Sequence, residues 1–136
     1  MHLSTLLKKT HRLLLKRANE LIKPYDINHA YTFILMELFN QDGLTQTELV
    51  QLIEVEQPTV VRTLDRMERD GFISRKPSTT DRRAVHIYLT EKAKNAQNDL
   101  IQSAALLNNQ AFSGFTEEEQ LKLREFLLRI LDNLNN

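Results

Sequence analysis

Residues 45–71, TQTELVQLIEVEQPTVVRTLDRMERDG, contain the patterns of two short helices joined by a tight turn. Thr45 and Glu48 have the spacing of a capping box, which predicts that the first helix begins here. Pro58 predicts the first turn of the second helix, where proline is tolerated, and Gly71 predicts its end. Two short helices of these lengths, in this order, predict a helix-turn-helix.

The second helix of this pair has two distinct faces. Val60, Leu64 and Met67 follow one another at i, i+4 and i+7 and are expected to pack inward. The other face offers hydroxyl and guanidinium groups that suit the major groove of DNA, because an arginine matches two acceptors of guanine and a threonine can contact thymine or phosphate. The candidate DNA-contacting residues of this face are Thr59, Arg62, Thr63 and Arg66, with Gln57 near its start.

The segment that follows the two helices predicts a β-hairpin. Phe72–Lys76 and Ala84–Leu89 are β-type runs separated by a seven-residue polar link without glycine, although hairpins usually close in two to five residues. A hairpin beside a recognition helix is a wing, whose long loop can follow the DNA backbone and place an arginine in the minor groove. Within the loop, we expect Asp81 to hold Arg82 or Arg83 by a charge-assisted hydrogen bond. Alternation in the second strand predicts that the side chains facing the helices are Val85, Ile87 and Leu89.

Composition and charge distribution narrow the class of protein. The 136-residue chain is most simply one domain, and it lacks cysteine, which excludes disulfides, thiolate nucleophiles and cysteine-based zinc sites. The formal net charge is zero, but residues 57–92 carry eight Lys/Arg against five acids and residues 1–25 carry six against one. A polyanion responds to such local charge rather than to the total. No apolar run has the length of a membrane span, so we expect a cytoplasmic protein with no membrane partner.

Amphipathic helices are predicted on both sides of the helix-turn-helix. A first helix ends at Pro24, a second covers Asn28–Asn40, Thr90 caps a long helix, and Thr116 caps the last one. The first, the long and the last helix have more apolar surface than a small winged module can cover, so we expect a second copy to bury them. The first helix's stripe contains Leu3, Leu7, His11, Leu14, Ala18 and Leu21. The core face expected for the second helix contains Ala30, Tyr31, Phe33, Ile34 and Leu38.

Two stretches, EQPTVVRTLDRMERDGFISR at residues 56–75 and TDRRAVHIYLTEKA at residues 80–93, strongly resemble the MarR family of bacterial transcription regulators, and particularly its SlyA-like branch. The match is densest over residues 45–94, and element order and length agree over the whole chain. The resemblance implies a mostly α fold with a small β-hairpin wing, in which helices at both chain ends form a homodimer. It also implies a regulator, usually a repressor, that binds double-stranded DNA and often releases it on binding small phenolic or lipophilic acids.

The resemblance also assigns residue roles by position. Arg62 corresponds to the family's base-reading arginine, and the wing motif leaves open whether Arg82 or Arg83 enters the minor groove. Beside Arg62 lie Gln57, Pro58, Thr59 and Thr63; Thr45 and Gln46 correspond to backbone-contacting residues; and the wing motif is Asp81, Arg82 and Arg83. We therefore expect one MarR-type domain over residues 1–136, with residues 28–90 as the winged module and residues 1–25 and 91–136 as dimerisation helices.

The positions of the histidines and of a predicted cleft bear on which signal could regulate DNA binding. The four histidines, His2, His11, His29 and His86, contain no close pair at metal spacing, so neither a metal nor a cofactor is expected. A small aromatic or lipophilic acid is the remaining simple effector, in a cleft where the first two helices meet the winged module. Control by protein abundance or by competition for sites stays open. The candidate lining residues are His11, Leu14, Leu15, His29, Phe33 and Ile34, with Arg12 or Lys16 for a carboxylate.

Other classes of function are less well supported by the sequence. An enzyme is not indicated, because the chain contains no glycine-rich phosphate loop and no Ser-His-Asp grouping stands out. A winged helix that only binds other proteins is the more serious alternative, since a fold does not fix a function. Such a module would have no need for Arg62, Arg82 and Arg83 on one side of the fold.

Overall fold

The computed structural model of the chain describes residues 1–135, which form six α-helices and one two-stranded antiparallel sheet. The helices are α1 (Leu3–Ile22), α2 (Thr32–Asn40), α3 (Gln46–Ile53), α4 (Gln57–Arg69), α5 (Glu91–Ala111) and α6 (Glu117–Leu134), and the strands are β1 (Ile73–Pro77) and β2 (Val85–Leu89). Short 3-10 helices cover Lys23–Tyr25 and His29–Tyr31. The mostly helical fold with a hairpin wing is confirmed.

Threonine side chains begin three of the helices as the sequence predicts. The Thr45 hydroxyl accepts the Glu48 N–H at 3.1 Å, and the Glu48 carboxylate accepts the Thr45 N–H, which completes a capping box at α3. Thr116 and Glu119 form the same motif at α6. Thr90 caps α5 through a hydrogen bond from the Ala93 N–H. These caps satisfy N–H groups that a helix leaves without partners, and they fix where each helix starts.

The first turn of the second predicted helix differs from the structure. Asn28 caps a 3-10 turn by accepting the Ala30 N–H at 2.9 Å, and α2 begins only at Thr32. A 3-10 turn has three residues per turn instead of 3.6, so it changes which side chains face the core. The predicted core face is therefore only partly correct. Its buried members are Tyr31, Ile34 and Leu38, and its exposed members are Ala30 and Phe33.

The core of the winged module lies between α2, α3, α4 and the sheet, and it continues onto α5. Val60, Leu64 and Met67 of α4 are at most 2% exposed, which confirms the predicted inward face of that helix. Burial of apolar side chains at this spacing fixes the rotation of α4 and leaves its opposite face in solvent. The most deeply buried large side chains are Leu35, Leu38, Leu49, Leu64, Met67, Ile87 and Leu100.

The hairpin is attached to the start of α3. β1 and β2 pair in the register Ile73↔Leu89 to Pro77↔Val85. The ends of both strands lie within one residue of the predicted ends. On the other edge of β2, the Ile87 N–H donates to the Leu44 carbonyl at 2.8 Å and the Ile87 carbonyl accepts the Gly43 N–H at 3.0 Å. The predicted alternation is confirmed, because Ile87 is buried and Val85 and Leu89 pack against the same core. The partly buried side chains of β2 are Val85, His86, Tyr88 and Leu89, because neighbouring segments cover both faces.

The long helices carry much uncovered apolar surface. α1 packs along α5, and the Arg17 Nε donates to the Gln110 Oε1 at 2.8 Å across that contact. α6 has no buried residue, although its sequence is rich in leucine. Among residues 1–135, no helix is both long and apolar enough to cross a membrane. The exposed apolar side chains of α1 and α6 include Leu3, Leu6, Leu7, Leu121, Leu123, Phe126, Leu127, Leu128 and Leu131.

Candidate nucleic-acid interface

The exposed face of α4 presents the polar side chains that the sequence assigned to DNA. Thr59, Arg62 and Arg66 are exposed, whereas Thr63 is half-buried and donates its hydroxyl to the Thr59 carbonyl at 2.9 Å. Within residues 1–135, neither Arg62 nor Arg66 takes part in an ion pair. Both guanidinium groups are therefore available to an external acceptor. Gln57 and Pro58 form the exposed first turn of α4.

The beginning of α3 lies beside the wing. Thr45 forms an antiparallel bridge with His86 of β2, and the His86 Nδ1 lies 2.7 Å from the Gly43 carbonyl oxygen. The Thr45 hydroxyl also lies 2.9 Å from the Glu48 carboxylate, so the capping box occupies this side chain. The Gln46 and Thr47 N–H groups are in the first turn of α3, where backbone donors and the helix dipole favour a phosphate.

Side chains within the wing loop replace the glycine that a tight turn would need. The Ser78 Oγ accepts the Thr80 and Asp81 N–H groups, each at 3.2 Å. The Ser78 N–H donates to the Ala84 carbonyl at 3.0 Å and the Ala84 N–H donates to the Asp81 carbonyl at 3.1 Å. Serine and aspartate close turns by binding nearby backbone groups in this way. The loop is therefore ordered by its own hydrogen bonds.

The predicted role of Asp81 is wrong in its detail. Its Oδ1 accepts the backbone N–H of Arg83 at 3.0 Å, and it forms no ion pair with either arginine among residues 1–135. An Asx turn of this kind orders the backbone without using a guanidinium group. Arg82 and Arg83 are both exposed. The loop therefore presents two free arginine side chains.

Arg75 joins the wing to α4, a contact that no pattern in the sequence predicted. Its Nη1 lies 2.7 Å from the Asp65 Oδ1 and 3.7 Å from the Glu68 Oε1, and its Nη2 donates to the Val61 carbonyl at 3.3 Å. The contact joins a strand to a helix ten residues earlier, so no helical spacing could have revealed it. Its only signal in the sequence is a basic residue two positions after the buried Ile73, on the same inward face of β1.

A second polar contact fixes the end of α4. The buried Tyr31 hydroxyl donates to the Asp70 Oδ2 at 2.6 Å, and the Arg69 Nε donates to the Asp70 Oδ1 at 3.0 Å. The hydrogen bonds from Arg69 and then Tyr31 lower the pKa of Asp70. Burial, followed by the bond to Asp70, raises the pKa of Tyr31. The pair is thus a neutral phenol bound to a carboxylate at neutral pH.

A cavity of about 310 Å³ lies between α1, α2 and α5. Of the predicted effector-binding residues, His11, Leu14, Leu15, His29 and Phe33 line it. Burial, and to a smaller extent the electrostatic effect of His11, lowers the pKa of His29. Residues of α5 that the sequence did not assign to the cavity also line it, and they include Leu100, Ser103, Ala104, Leu107 and Asn108.

Three of the predicted lining residues lie elsewhere. Ile34 is 3% exposed and belongs to the core of the winged module, because it lies on a different face of α2 from Thr32 and Met36, which line the cavity. Arg12 is exposed and lines an adjoining groove along α1 that shares His11 and Leu15 with the cavity, and Lys16 is not among the residues that line the cavity. Along residues 1–135, no group of three His, Asp or Glu side chains could hold a metal ion.

The helix pair, the hairpin wing and the flanking long helices define the class: a winged helix-turn-helix protein. The sequence model of the MarR family matches residues 27–85, which include α2 to α4, β1 and the wing loop and end at the first residue of β2. The solved structure of the transcriptional regulator PA3341 is 35% identical, covers 99% of each chain and superposes with a TM-score of 0.85.

Two further structures have the same fold. The transcriptional regulator SlyA is 25% identical over 98% of this chain and 94% of its own, with a TM-score of 0.91. A mutant of MarR from E. coli, solved in complex with operator DNA, is 25% identical over 95% of this chain and 93% of its own, with a TM-score of 0.89. The chain belongs to the MarR family of transcriptional regulators, which are not enzymes.

Proposed function

We propose that the protein is a sequence-specific regulator that binds double-stranded DNA as a homodimer, in the cytoplasm, and represses genes at pseudo-palindromic operators. The observation that carries this proposal is the exposed face of α4, where Arg62 and Arg66 have no ion-pair partner within residues 1–135. An α-helix fits the major groove, and a free guanidinium group matches the two acceptors of guanine. Residues 28–90 would bind DNA, and residues 1–25 and 91–136 would dimerise.

The wing and the start of α3 support the same proposal. Arg82 and Arg83 are exposed on a loop that its own hydrogen bonds order, so little entropy is lost when the loop meets a phosphate backbone. The Thr45–His86 bridge places the start of α3 beside the hairpin. The relative from E. coli with the same fold was solved with operator DNA. Asp81 would act by shaping the loop.

Homodimer formation is supported by the uncovered apolar faces at the two ends of the chain. Leu121, Leu128 and Leu131 of α6 are between 48% and 68% exposed in a single chain. Contiguous apolar surface of this kind marks a protein interface. A two-fold arrangement would bury the same surface on each copy and would set two α4 helices at a fixed spacing.

Control by a small aromatic or lipophilic acid is supported by the cavity between α1, α2 and α5. Its walls are apolar, and His11 and His29 supply two polar groups that can bind a carboxylate. Because burial lowers the pKa of His29, the free protein holds it neutral, and a bound carboxylate would favour its protonated form. Binding of the acid should therefore strengthen as the pH falls.

Selection of duplexes from a random pool tests DNA recognition. The purified protein should enrich a pseudo-palindrome with half-sites about one helical turn, roughly 10 bp, apart. The proposal fails if no sequence is enriched at a salt concentration near 0.15 M. In that case the alternative, a winged helix that binds only other proteins, would be favoured.

Thermal-shift and DNA-release assays with a panel of benzoate-like and phenolic acids test the effector. A genuine effector should stabilise the protein and lower its affinity for the selected duplex. His11→Ala and His29→Ala should both weaken the response, while Lys122→Ala, at an exposed position of α6 away from the cavity, serves as the control. If both histidine variants respond as wild type does, the cavity is not the effector site.

A further inference from the structure

The acidic residues of α4 could pair with its arginines and so keep the arginines from contacting DNA. Asp65 follows Arg62 by three residues and precedes Arg69 by four, and both separations bring side chains together on a helix. A free Asp65 carboxylate would therefore attract the Arg62 guanidinium along the helix surface. It would also repel the phosphates of an approaching duplex.

In the structure, Arg75 of β1 binds the Asp65 carboxylate. The Arg75 Nη1 lies 2.7 Å from the Asp65 Oδ1, while Arg62 forms no ion pair within the described part of the chain. Arg69 is paired with Asp70 instead. The two acids of the helix that lie nearest to β1, Asp65 and Glu68, thus share one arginine from outside the helix.

Arg75 is held in place more firmly than a surface arginine. Its side chain is 21% exposed, against 59% for Asp65, and its Nε atom is buried without a hydrogen-bond partner, so the two Nη atoms make the bonds that hold the group. Its Nη2 also donates to the Val61 carbonyl at 3.3 Å, so one planar group binds a side chain and the backbone of α4. A guanidinium group can make both bonds at once, and a lysine ammonium lacks this planar fork.

We propose that Arg75 is a positioning residue for DNA recognition: by holding Asp65 it leaves Arg62 free to contact a base, and it ties the wing to α4. The proposal rests on the DNA-binding function proposed above. It assigns to Arg75 an indirect part in base selection without any contact to DNA.

Titrations of the full-length protein with its selected duplex test this role. Arg75→Gln should raise Kd at least tenfold and reduce discrimination at the base that Arg62 contacts. Adding Asp65→Asn to Arg75→Gln should restore Kd to within about threefold of wild type, because the competing carboxylate is gone. Lys122→Gln removes an equal charge from α6 and should leave Kd unchanged. Circular dichroism would verify that each variant is folded.

Two outcomes would overturn the proposal. Arg75→Gln could bind and discriminate like wild type, or Asp65→Asn could fail to restore the double variant, which would leave Arg75 with only a structural role. If Arg75→Gln does not fold, Arg75→Lys takes its place, and its weaker binding should be reversed by Asp65→Asn; absence of that reversal also overturns the proposal. If the wild-type protein selects no duplex at all, the proposed DNA-binding function fails first.

Discussion

At the scale of single residues, Tyr31 and Asp70 connect the turn before α2 to the end of α4. The hydroxyl of Tyr31 is buried, so it would be costly without an acceptor, and Asp70 supplies one at 2.6 Å. Arg69 binds the other oxygen of Asp70. The contact therefore helps to fix the orientation of α4 relative to the rest of the winged module.

Stability at acid pH should depend on Asp70. Its pKa is lowered in the folded protein, so its contribution is fully present above the ordinary carboxyl pKa of about 3.9 and is lost as the pH falls through the lower folded value. The free energy of unfolding in urea should therefore fall more steeply below pH 5 for wild type than for Asp70→Asn. Asp132→Asn on α6 is the control and should follow wild type. Parallel curves for wild type and Asp70→Asn would show that the Asp70 contacts contribute nothing.

Single side chains were predictable where helical spacing alone decides their environment. Val60, Leu64 and Met67 were placed correctly because a regular helix repeats its face every 3.6 residues. Phe33 was assigned to the core face but is exposed beside the cavity, because it lies on a different face of α2 from the buried Ile34 and Leu38. Arg75 was missed because its partners come from another element, and the spacing along the chain holds no information on such contacts.

At the scale of elements, the wing shows how a long loop is closed without glycine. The sequence predicted the hairpin, its strands to within one residue and its exposed arginines. It did not predict that Ser78 would bind the loop backbone or that Asp81 would bind the Arg83 N–H, because several polar side chains could make equivalent bonds. The consequence for DNA binding is that both arginines remain free.

Loss of a wing arginine should weaken DNA binding in a way that depends on salt. Arg82→Ala and Arg83→Ala each remove one positive charge that would neutralise a phosphate, so the slope of log K against log salt should decrease by about 1. Binding to unrelated duplexes should weaken as well, because a phosphate contact carries no sequence information. Titrations between 50 and 200 mM salt would measure the slope, with Lys122→Ala as the control. An unchanged slope for both wing variants would place the wing away from DNA.

The attachment of the wing to α3 depends on Gly43. Gly43 has φ +79°, and an added Cβ would lie 2.9 Å from the Tyr88 Cε1, so alanine would be strained and would also displace the tyrosine ring. Gly114 has φ +84° with no atom within 4 Å of the added Cβ, which makes it a matched control. Gly114→Ala should cost about 1 kcal/mol for its backbone alone, and Gly43→Ala about 2 kcal/mol or more. Equal losses in urea unfolding would show that Tyr88 moves aside freely.

At the scale of the whole molecule, the basic winged module is distinct from α6, which carries uncovered apolar surface, whereas α1 carries both basic and apolar side chains. Basic residues predominate in residues 57–92, which contain α4 and the wing, whereas residues 26–56 carry six acids and no Lys/Arg. Most of the large apolar side chains left exposed lie on α1 and α6. This division matches one region for DNA and another for a second copy. The sequence could indicate both regions, but the geometry of a dimer depends on how two copies of the same surface pack together, which the spacing of residues along the chain does not determine.

Dimerisation should be lost when the apolar face of α6 is altered. Light scattering of wild type at micromolar concentration should give about twice the mass of one chain. Leu131→Glu places a charge on a surface that we expect to be buried, and deletion of residues 116–136 removes that surface, so each should yield aggregated or unfolded protein. Lys122→Glu, at an exposed polar position of the same helix, is the control. A stable, folded monomer after the deletion would rule out an obligate dimer.

The DNA affinity of the Arg62→Ala variant tests most directly whether the exposed face of α4 recognises DNA. Fluorescence anisotropy would compare wild type and this variant on the selected duplex and on duplexes changed at one base of each half-site. The variant should lose about 1 to 3 kcal/mol of binding free energy and should no longer discriminate at that base. If Arg62→Ala binds the selected duplex as tightly as wild type and keeps the same base preference, α4 does not recognise DNA through this face.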